Sequence, residues 1–406
     1  MSRRVKYFAI CFSSLFFLIS SQTNAAPIKK YHVIVAPTCL VTQLKNNYQP
    51  LTKINTFSLI QVNDAGIDNL IAAKNNQKNL CGGFMDATKA WEENQPQSNA
   101  NPKKFLSNYI KQIKPLTAQN TYEIKYPKTV DQLFNQLNPQ HMWDTLTQIS
   151  TLDDRYANGE NGVTFAKWIK TDIEDLASKN KRDDVTAYFI ETGKQYKQPS
   201  VVVKIGTSND PGIVIGAHMD TLSSSWGKKP GADDDGSGTA TVLEIANTLL
   251  SSGMHFKKPI YLVWYAAEEE GLVGSSYVVS EFKNKNILIT AVLHFDMTGF
   301  AYQNDPTLWL MTDYVNKDLV AYLETLITTY VKEPVKYSQC GYACSDHATW
   351  TKNGFAAGIA AEAAYEHTNP VLHSSKDTID KLSLSHMTDY LKLGTAFAVE
   401  LAEPTE

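Results

Sequence analysis

Three adjacent carboxylates, Asp233, Asp234 and Asp235, lie in the stretch "PGADDDGSG", directly before an apolar segment. Neighbouring negative charges repel one another, so this run does not stabilise the fold by itself. A carboxylate that bridges two cations meets strong positive charge, which offsets the repulsion from its neighbours. The following glycines allow the chain to turn tightly into a helix. The run therefore favours a metal site in which one Asp bridges two ions and neighbours such as Asp235 support it.

Other polar residues follow apolar runs elsewhere in the chain: His218 and Asp220 in "GIVIGAHMD", Glu268, Glu269 and Glu270 after "IYLVWYAA", Asp296 in "LHFDM" and His373 in "VLHSSKD". Singly, each has an ordinary explanation, such as a strand end, a helix N-terminus, a cap or a surface imidazole. Together, two imidazoles and several carboxylates form a ligand set suited to zinc. The set is too large for one tetrahedral ion, whereas two ions sharing a carboxylate would use it. Asp220 lies two positions after His218 on a strand and is expected to orient its imidazole.

The elements that must position these residues alternate between strands and helices. From about Gln132, runs such as "SVVVKIG", "GIVIGAH", "IYLVWYAA" and "ILITAVLHF" predict strands, and segments such as "TATVLEIANTLL" predict helices between them. Continuously apolar strands indicate a sheet that is buried on both faces. The sequence therefore predicts an α/β three-layer sandwich with a central, mostly parallel mixed sheet flanked by helices. Ligands of such sheets gather at the carboxyl ends of strands, where the polar residues stand.

The chain begins with a segment that is typical of export. Arg3, Arg4 and Lys6 precede an apolar stretch that is short for a membrane span, and small residues follow it. We interpret residues 1–25 as a signal peptide cut after Ala25, with an uncleaved anchor as the alternative. No other segment approaches the length of a membrane span, so no membrane contact is expected once the signal is removed.

The rest of the chain divides by composition. Residues 26–90 contain "YHVIVAP", which predicts a strand, and "AGIDNLIAAKNN", which predicts a helix, and they are expected to form a small α+β domain. Residues 91–120 begin with a stretch rich in Asn, Gln and Pro and are predicted to be a linker. Residues 121–406 are predicted to form the large α/β domain.

Composition also limits the partners and the redox setting. The 406 residues carry a formal charge of −4 without a basic face, so nucleic acid is not an expected partner. Outside the signal segment, which contains Cys11, the cysteines are Cys39, Cys81, Cys340 and Cys344. Of their possible pairings, Cys39–Cys81 with Cys340–Cys344 fits best, because each pair lies within one apparent unit. Four unpaired buried thiols are the alternative.

The combination "GAHMD…PGADDDGSG…YAAEEEGLVGS…FDMT…CGYACSDHA…NPVLHSSKDT" resembles the secreted bacterial leucyl aminopeptidases, which are zinc-dependent exopeptidases with a co-catalytic metal pair. The likeness runs from about residue 140 to near the C-terminus and implies the zinc exopeptidase fold. The ligands that it implies are His218 and Asp296 for one zinc ion, Glu269 and His373 for the other, and Asp234 as the bridge. It also implies a cis peptide bond between Asp234 and Asp235.

The same resemblance implies a reaction. Two zinc ions per chain would activate a hydroxide, with Glu268 as general base and Tyr342 helping to stabilise the tetrahedral oxyanion. A Cys340–Cys344 disulfide would fix the loop that carries Tyr342. The implied protein is an exported aminopeptidase that removes N-terminal residues from peptides with a free N-terminus. It is expected to act as a monomer, outside the cell or in the periplasm.

A pocket for the first side chain of the substrate is also implied. Its expected lining residues are Met297, Cys344, Tyr365 and Leu372. The sequence departs from the family at Ala361 and Thr368, where bulkier aromatic residues are common, and Glu366 and His367 lie nearby. We hypothesise that a roomier and more acidic pocket accepts Lys or Arg as well as Leu.

Other functions remain open for the same residues. A carboxypeptidase, an acylase or a glutaminyl-cyclase-like enzyme with one zinc uses the same scaffold, and an adhesin or receptor is the non-enzymatic alternative. Relatives are made with a pro-region that aids folding and inhibits until it is removed, and we expect that role for the N-terminal domain. A permanent accessory domain is the alternative. His347 is expected to pair with Asp346 in a structural hydrogen bond rather than to bind metal.

Overall fold

The computed structural model describes residues 31–45, 47–75, 81–93, 101–111, 121–225 and 227–405. The predicted signal peptide lies outside these residues. Within them the chain forms a small N-terminal unit and a large α/β domain, each built around its own sheet. No helix in the described ranges combines the length and the apolar character that crossing a membrane requires.

The N-terminal unit is an antiparallel sheet flanked by helices. Its strands, in the spatial order β2-β3-β1-β4, are β1 (His32–Pro37), β2 (Gln49–Ile54), β3 (Phe57–Val62) and β4 (Met85–Asp86). Its helices are α1 (Thr38–Val41), α2 (Asp64–Asn75), α3 (Thr88–Glu93) and α4 (Pro102–Lys111). A disulfide joins Cys39, in α1, to Cys81, as the preferred pairing expected.

Alternate residues of β1 serve two different apolar clusters, because successive side chains of a strand point to opposite faces. Ile34 and Ala36 pack in a cluster with α1 and α2. Val33 and Val35 pack in a second cluster that contains Leu106 of α4 and also residues of the large domain, among them Leu272. The N-terminal unit is therefore attached to the large domain through a shared apolar core.

Part of the segment predicted as a linker is helical. Helix α4 begins at Pro102, a residue that is well suited to the first helical turn. Leu106 and Tyr109 are buried against the N-terminal sheet. Composition drew attention to the Asn and Pro residues before the helix and concealed the helical spacing of these apolar residues. The proposed limits of the domains otherwise remain a prediction.

The large domain has the predicted α/β architecture. Its strands are β5 (Val185–Ile190), β6 (Ser200–Ile205), β7 (Gly212–His218), β8 (Ile260–Tyr265), β9 (Ile289–Phe295), β10 (Leu308–Met311), β11 (Val335–Ser338) and β12 (Ala357–Ala361). Its helices are α5 (Pro127–Phe134), α6 (Pro139–Ile149), α7 (Glu160–Lys179), α8 (Gly238–Ser251), α9 (Val273–Asn284), α10 (Lys317–Leu326), α11 (His347–Lys352) and α12 (Leu384–Ala402).

The strands form one mixed sheet in the order β11-β10-β12-β9-β7-β8-β6-β5. The central strands β12, β9, β7 and β8 are mutually parallel. Strands β5 and β6 at one side are antiparallel, and so is the pairing of β10 with β12 at the other. The four parallel strands therefore end at the same edge of the sheet, and the residues after them meet there.

Helices cover both faces of this sheet. Helices α6, α7, α8, α10 and α12 pack on one face, where Ile215, Leu262 and Phe295 lie in the largest apolar cluster. Helices α9 and α11 pack on the other face, around Val202, Val263 and other residues of a second cluster. The helices on both faces thus hold the carboxyl edge of the sheet rigidly, which is what a site at that edge requires.

Candidate metal centre

Asp234 lies between the two imidazoles that the sequence singled out. Its Oδ1 is 3.0 Å from Nε2 of His218, which ends β7. Its Oδ2 is 2.8 Å from Nε2 of His373, in the loop after β12. Each oxygen of this carboxylate therefore faces a different imidazole, which is the arrangement that a bridging ligand needs.

Each imidazole has a further carboxylate beside it. Nε2 of His218 is 3.6 Å from Oδ1 of Asp296, which directly follows β9. Nε2 of His373 is 3.0 Å from Oε2 of Glu269, which lies after β8. The structure thus contains two clusters of candidate ligand atoms within 4.8 Å, namely His218, Asp234 and Asp296, and Asp234, Glu269 and His373. All five expected ligands are brought together, with Asp234 common to both clusters.

Asp235 fastens the two strand ends behind these ligands. Its Oδ2 accepts a hydrogen bond from the backbone N–H of His218 at 3.2 Å, and its Oδ1 accepts one from Met297 N–H at 3.1 Å. Oδ1 also accepts the N–H of Gly238 at 2.8 Å, at the start of α8. The peptide bond between Asp234 and Asp235 is cis, as the resemblance implied. The Asp235 carboxylate therefore couples the turn that carries Asp234 to the ends of β7 and β9.

Asp220 connects His218 with the acidic turn after β8. Its Oδ1 lies 3.6 Å from Nδ1 of His218. Its two oxygens accept hydrogen bonds from the backbone N–H groups of Glu268 at 3.0 Å and of Glu269 at 3.2 Å. Asp220 therefore positions the backbone of the expected general base and of one expected ligand, besides facing the imidazole.

Sequence reasoning missed Asp377. Its carboxylate accepts hydrogen bonds from the backbone N–H groups of Asp233, at 3.0 Å, and Asp234, at 3.2 Å. It thereby fixes the turn that carries Asp234. The signal was present in the sequence, because Asp377 follows His373 by four residues in the same loop.

Burial and mutual charge shape the protonation of this centre. Burial raises the pKa of Asp234, but the imidazoles of His373 and His218 lower it by more than burial raises it. The net pKa of Asp234 therefore lies well below its usual range. Burial raises the pKa of Glu268 well above its usual value. An ionised bridge and a carboxylate of raised proton affinity suit the roles of ligand and base, respectively.

A cavity of about 250 Å³ opens in front of the centre. Its lining includes Asp234, Glu268, Asp296, Tyr342 and His373 together with the expected pocket residues Met297, Cys344, Tyr365 and Leu372. The Cys340–Cys344 disulfide is present beside Tyr342. Met311 and Ile359 also line the cavity and were not foreseen, because apolar residues of β10 and β12 cannot be distinguished from core residues by sequence.

Two expectations about polar residues near the cavity were wrong. Glu366 is exposed and does not line the cavity, and the ring of His367 stacks on Tyr302 at 4.2 Å between centroids. The cavity therefore lacks the additional acidic residue that we expected in its described lining. Ala361 and Thr368 do line the cavity, as expected. His347 does not pair with Asp346 either, since neither of its ring nitrogens has a hydrogen-bond partner among the described residues.

The N-terminal unit reaches into the same cavity. At the end of α2, Nζ of Lys74 lies 3.9 Å from Oε2 of Glu269. Nδ1 of His373 donates a hydrogen bond to Oδ1 of Asn75 at 2.7 Å, which leaves Nε2 of His373 directed at the carboxylates. A Cβ atom on Gly82 or Gly83 would lie 2.8 Å from the ring of Tyr342, so both glycines press against that ring. The N-terminal unit therefore covers the residues that would receive a substrate.

The donor atoms of the centre fit zinc. Imidazole nitrogens and carboxylate oxygens are ligands that zinc accepts, and the shared Asp234 gives each cluster three donors. A zinc ion held by three such donors would keep coordination positions open for water or substrate, which is typical of catalytic rather than structural zinc sites.

Comparison with known proteins identifies relatives of this chain. Residues 200–397 match peptidase family M28. A probable leucine aminopeptidase of Trichophyton verrucosum is 31% identical over 295 residues, which cover 71% of this chain and 80% of that protein. Leucine aminopeptidase 1 of Aspergillus fumigatus is 32% identical over 292 residues, 69% of this chain and 75% of that protein.

Solved structures extend the likeness to the whole described fold. The LapA aminopeptidase of Legionella pneumophila superposes with a TM-score of 0.85 at 39% identity, covering 93% of this chain and all of that one. LapB of the same organism gives 0.84 at 37% identity, covering 92% and 100%. A zinc aminopeptidase from Bacillus subtilis, 17% identical with a TM-score of 0.53 over 65% of this chain and 95% of that one, shares the fold. The chain therefore belongs to peptidase family M28, as a metallo-aminopeptidase with the zinc exopeptidase fold.

Proposed function

We propose that the protein is an exported two-zinc aminopeptidase that releases apolar N-terminal residues from peptides. The observation that carries this proposal is the position of Asp234, whose two oxygens face His218 and His373 at 3.0 and 2.8 Å. One zinc ion would be held by His218, Asp234 and Asp296, and the other by Asp234, Glu269 and His373. When bound, the two ions would supply Lewis acidity that polarises the scissile carbonyl and lowers the pKa of the attacking water.

Glu268 would act as the general base of the reaction. It lines the cavity, it is not a member of either ligand cluster, and Asp220 holds its backbone N–H. Burial gives its carboxylate a raised pKa, which favours proton uptake. Glu268 would take the proton of the attacking water and pass it to the leaving amine nitrogen.

Tyr342 would donate a hydrogen bond to the oxyanion. Its side chain is buried at the wall of the cavity, on a loop closed by the Cys340–Cys344 disulfide. Burial raises the pKa of Tyr342 well above its usual value, so the hydroxyl remains protonated and can donate. A preorganised donor of this kind stabilises charge that develops in the transition state.

The lining of the cavity supports an apolar first side chain. Met297, Met311, Ile359, Tyr365 and Leu372 surround the space beside the metal ligands. Among the described lining residues, the carboxylates are those of the metal centre and its base, so none is left to pair with a substrate lysine or arginine. The roomier pocket expected at Ala361 and Thr368 would then serve larger apolar residues.

A panel of substrates tests this function. We expect leucyl and methionyl anilides to be cleaved with at least about tenfold higher kcat/KM than the lysyl anilide, because a charged amine in an apolar pocket lacks a partner. N-acetyl-leucyl anilide should resist cleavage, and metal analysis should give two zinc ions per chain. Equal cleavage of the acetylated substrate would refute the aminopeptidase, and preference for the lysyl substrate would refute the apolar pocket.

We also propose that the N-terminal unit is a pro-region that inhibits the enzyme until it is removed. This role is supported by the cavity lining, which includes Lys74, Asn75 and Gly82, because a bound peptide would need the same space. Export is supported by the N-terminal segment and by the two disulfides, which form in oxidising compartments. N-terminal sequencing of protein from the medium and the periplasm would locate both cleavage sites.

A further inference from the structure

Arg155 is a buried arginine that belongs to neither ligand cluster, yet it contacts two of the backbone segments that carry candidate ligands, those of His218 and Asp234. It lies in the loop between α6 and α7, and its side chain is completely buried. Nε donates to the backbone carbonyl of Met219 at 2.8 Å. The same guanidinium donates from Nη1 to the carbonyl of Pro230 at 2.6 Å and from Nη2 to the carbonyl of Gly231 at 2.9 Å.

The three carbonyls that accept these bonds border the metal centre. Met219 lies between His218 and Asp220 at the end of β7, and Gly231 precedes the turn that carries Asp234. The planar guanidinium therefore joins two backbone segments whose spacing sets the 3.0 Å separation of His218 Nε2 and Asp234 Oδ1. A lysine could not span all three carbonyls, because it lacks the rigid fork of donors.

The surroundings of Arg155 are built for this close approach. Gly231 has a φ of +51°, and a Cβ atom there would lie 3.0 Å from Nη2 of Arg155 and 2.4 Å from the carbonyl oxygen of Asp234. The backbone N–H of Arg155 donates to Oγ1 of Thr221 at 2.8 Å. The loop is thus anchored at its backbone and at the end of its side chain.

Among the residues that the structure describes, no carboxylate forms a direct ion pair with Arg155. Its hydrogen-bond acceptors are neutral carbonyls, while the carboxylates of Asp220, Asp234, Asp235 and Asp377 lie close enough to interact with it electrostatically. Arginine stays protonated even when buried. The guanidinium therefore supplies a fixed positive charge behind a centre that is crowded with acids.

We propose that Arg155 is a positioning residue of the metal centre, which sets the spacing of the ligands His218 and Asp234 and offsets the charge of the carboxylates around them. The proposal rests on the two-zinc function proposed above. Arg155 would act through the backbone of these ligands and would contact neither metal nor substrate. Loss of the guanidinium fork with the positive charge kept, as in Arg155→Lys, should therefore weaken metal binding and distort the geometry of the centre before it affects substrate affinity.

The test compares Arg155→Lys with Arg182→Lys in the full-length protein. Arg182 is a buried arginine outside the cavity, bonded to Asp184 and to the carbonyl of Leu249, so its substitution reports the general cost of losing a buried fork. We expect zinc affinity, measured by competition with a chromophoric chelator, to fall about 10- to 100-fold in Arg155→Lys. It should stay within about twofold of the wild type in Arg182→Lys, although both variants lower Tm.

Two further measurements separate positioning from folding. The visible spectrum of the Co²⁺-substituted full-length protein should change in Arg155→Lys and not in Arg182→Lys. In Arg155→Lys protein from which the N-terminal unit has been removed, kcat should fall more than KM rises. Thr221→Val, which removes the acceptor of the Arg155 backbone N–H, should weaken zinc binding in the same direction but less. The inference is overturned if both Arg155→Lys and Thr221→Val bind zinc like the wild type, whereas a wild-type protein that binds no zinc overturns the metal centre itself.

Discussion

At the scale of single residues, the adjacent carboxylates of Asp233, Asp234 and Asp235 make different contacts. Asp233 hydrogen-bonds within its own turn and to Asn369, Asp234 faces both imidazoles, and Asp235 binds backbone N–H groups of two strand ends. The run that looked unfavourable in the sequence is thus divided among three environments. The three adjacent aspartates therefore have different partners, because the chain turns sharply between them.

Glu268 and Glu270 also differ in environment, because only Glu268 is among the lining residues of the cavity. The two residues therefore give a matched pair of variants. Glu268→Gln should lower kcat by about 10²- to 10⁴-fold, because the amide cannot accept the proton of the attacking water. Glu270 accepts a hydrogen bond from Tyr196 at 3.4 Å and does not line the cavity, so Glu270→Gln should retain kcat within a few-fold. Steady-state kinetics and zinc content of both variants check this. Full activity of Glu268→Gln would remove Glu268 from the mechanism.

Sequence reasoning reached the polar residues of the centre and missed several others for physical reasons. His218, Asp234, Glu269, Asp296 and His373 stand out because polar residues after apolar runs are unusual. Arg155 could not be recognised, because its partners are backbone carbonyls that are distant in sequence. Met311 and Ile359 were hidden for a different reason, since a strand residue that lines a cavity has the same composition as one that lines the core.

At the scale of elements, parallel pairing of β12, β9, β7 and β8 explains why residues far apart in sequence meet. The alternation of apolar runs and helical segments was sufficient to predict this sheet, because burial on both faces leaves a strong pattern. Helix α4 was not predicted, because its short amphipathic pattern lies beside a stretch whose composition is typical of linkers. Local composition and helical spacing can thus give opposite indications within one segment.

Helix α2 places Lys74 where a cation of the metal centre would repel it. Its Nζ lies 3.9 Å from Oε2 of Glu269, an expected zinc ligand. We predict that Lys74→Met in the full-length protein raises zinc affinity by about tenfold or more, since like charges at this distance repel. Lys53→Met, an exposed position in β2 of the same unit, is the control and should leave zinc affinity unchanged. Identical zinc titrations for both variants would contradict the prediction.

Strand β1 gives the N-terminal unit a dependence on pH. Burial lowers the pKa of His32, but hydrogen bonds to Asp86 and Asp64 and their charges raise it more, so the net pKa lies above 6.5. A raised folded-state pKa stabilises the unit fully below about pH 6.5, and this stabilisation is lost as the pH rises through the raised value. Hydrogen exchange of β1 should therefore accelerate with pH beyond the intrinsic rate. His32→Gln should abolish this excess, and an unchanged excess would exclude His32 as its source.

At the scale of the whole molecule, two sheets share one apolar contact and one cavity. The cluster that joins Val33 and Val35 to Leu272, Ala343 and Ala348 holds the N-terminal unit over the large domain. From the same unit, Asn75 reaches the imidazole of His373. The unit therefore combines two sets of contacts, because its apolar cluster attaches it to the large domain and Asn75 covers the metal centre.

Removal of the N-terminal unit should release activity. A site for a specific protease, introduced between Lys111 and Thr121, would allow cleavage after folding. We expect kcat/KM for a leucyl anilide to rise at least tenfold once the N-terminal fragment has dissociated, because Lys74 and Asn75 no longer occupy the cavity. A cleaved but undissociated complex is the control and should remain slow. Unchanged turnover after dissociation would identify the unit as a permanent accessory domain.

The contact of Gly82 and Gly83 with the ring of Tyr342 has a consequence for how such proteins evolve. Neither glycine can acquire even a methyl group without lifting the unit from the ring, since a Cβ atom would lie 2.8 Å from it. Under the proposed pro-region role, an alanine at either position would weaken inhibition and release activity before the unit is removed. Substitutions on the two surfaces must therefore compensate one another. An N-terminal unit should bind a large domain more weakly when the surface around the tyrosine ring no longer matches it.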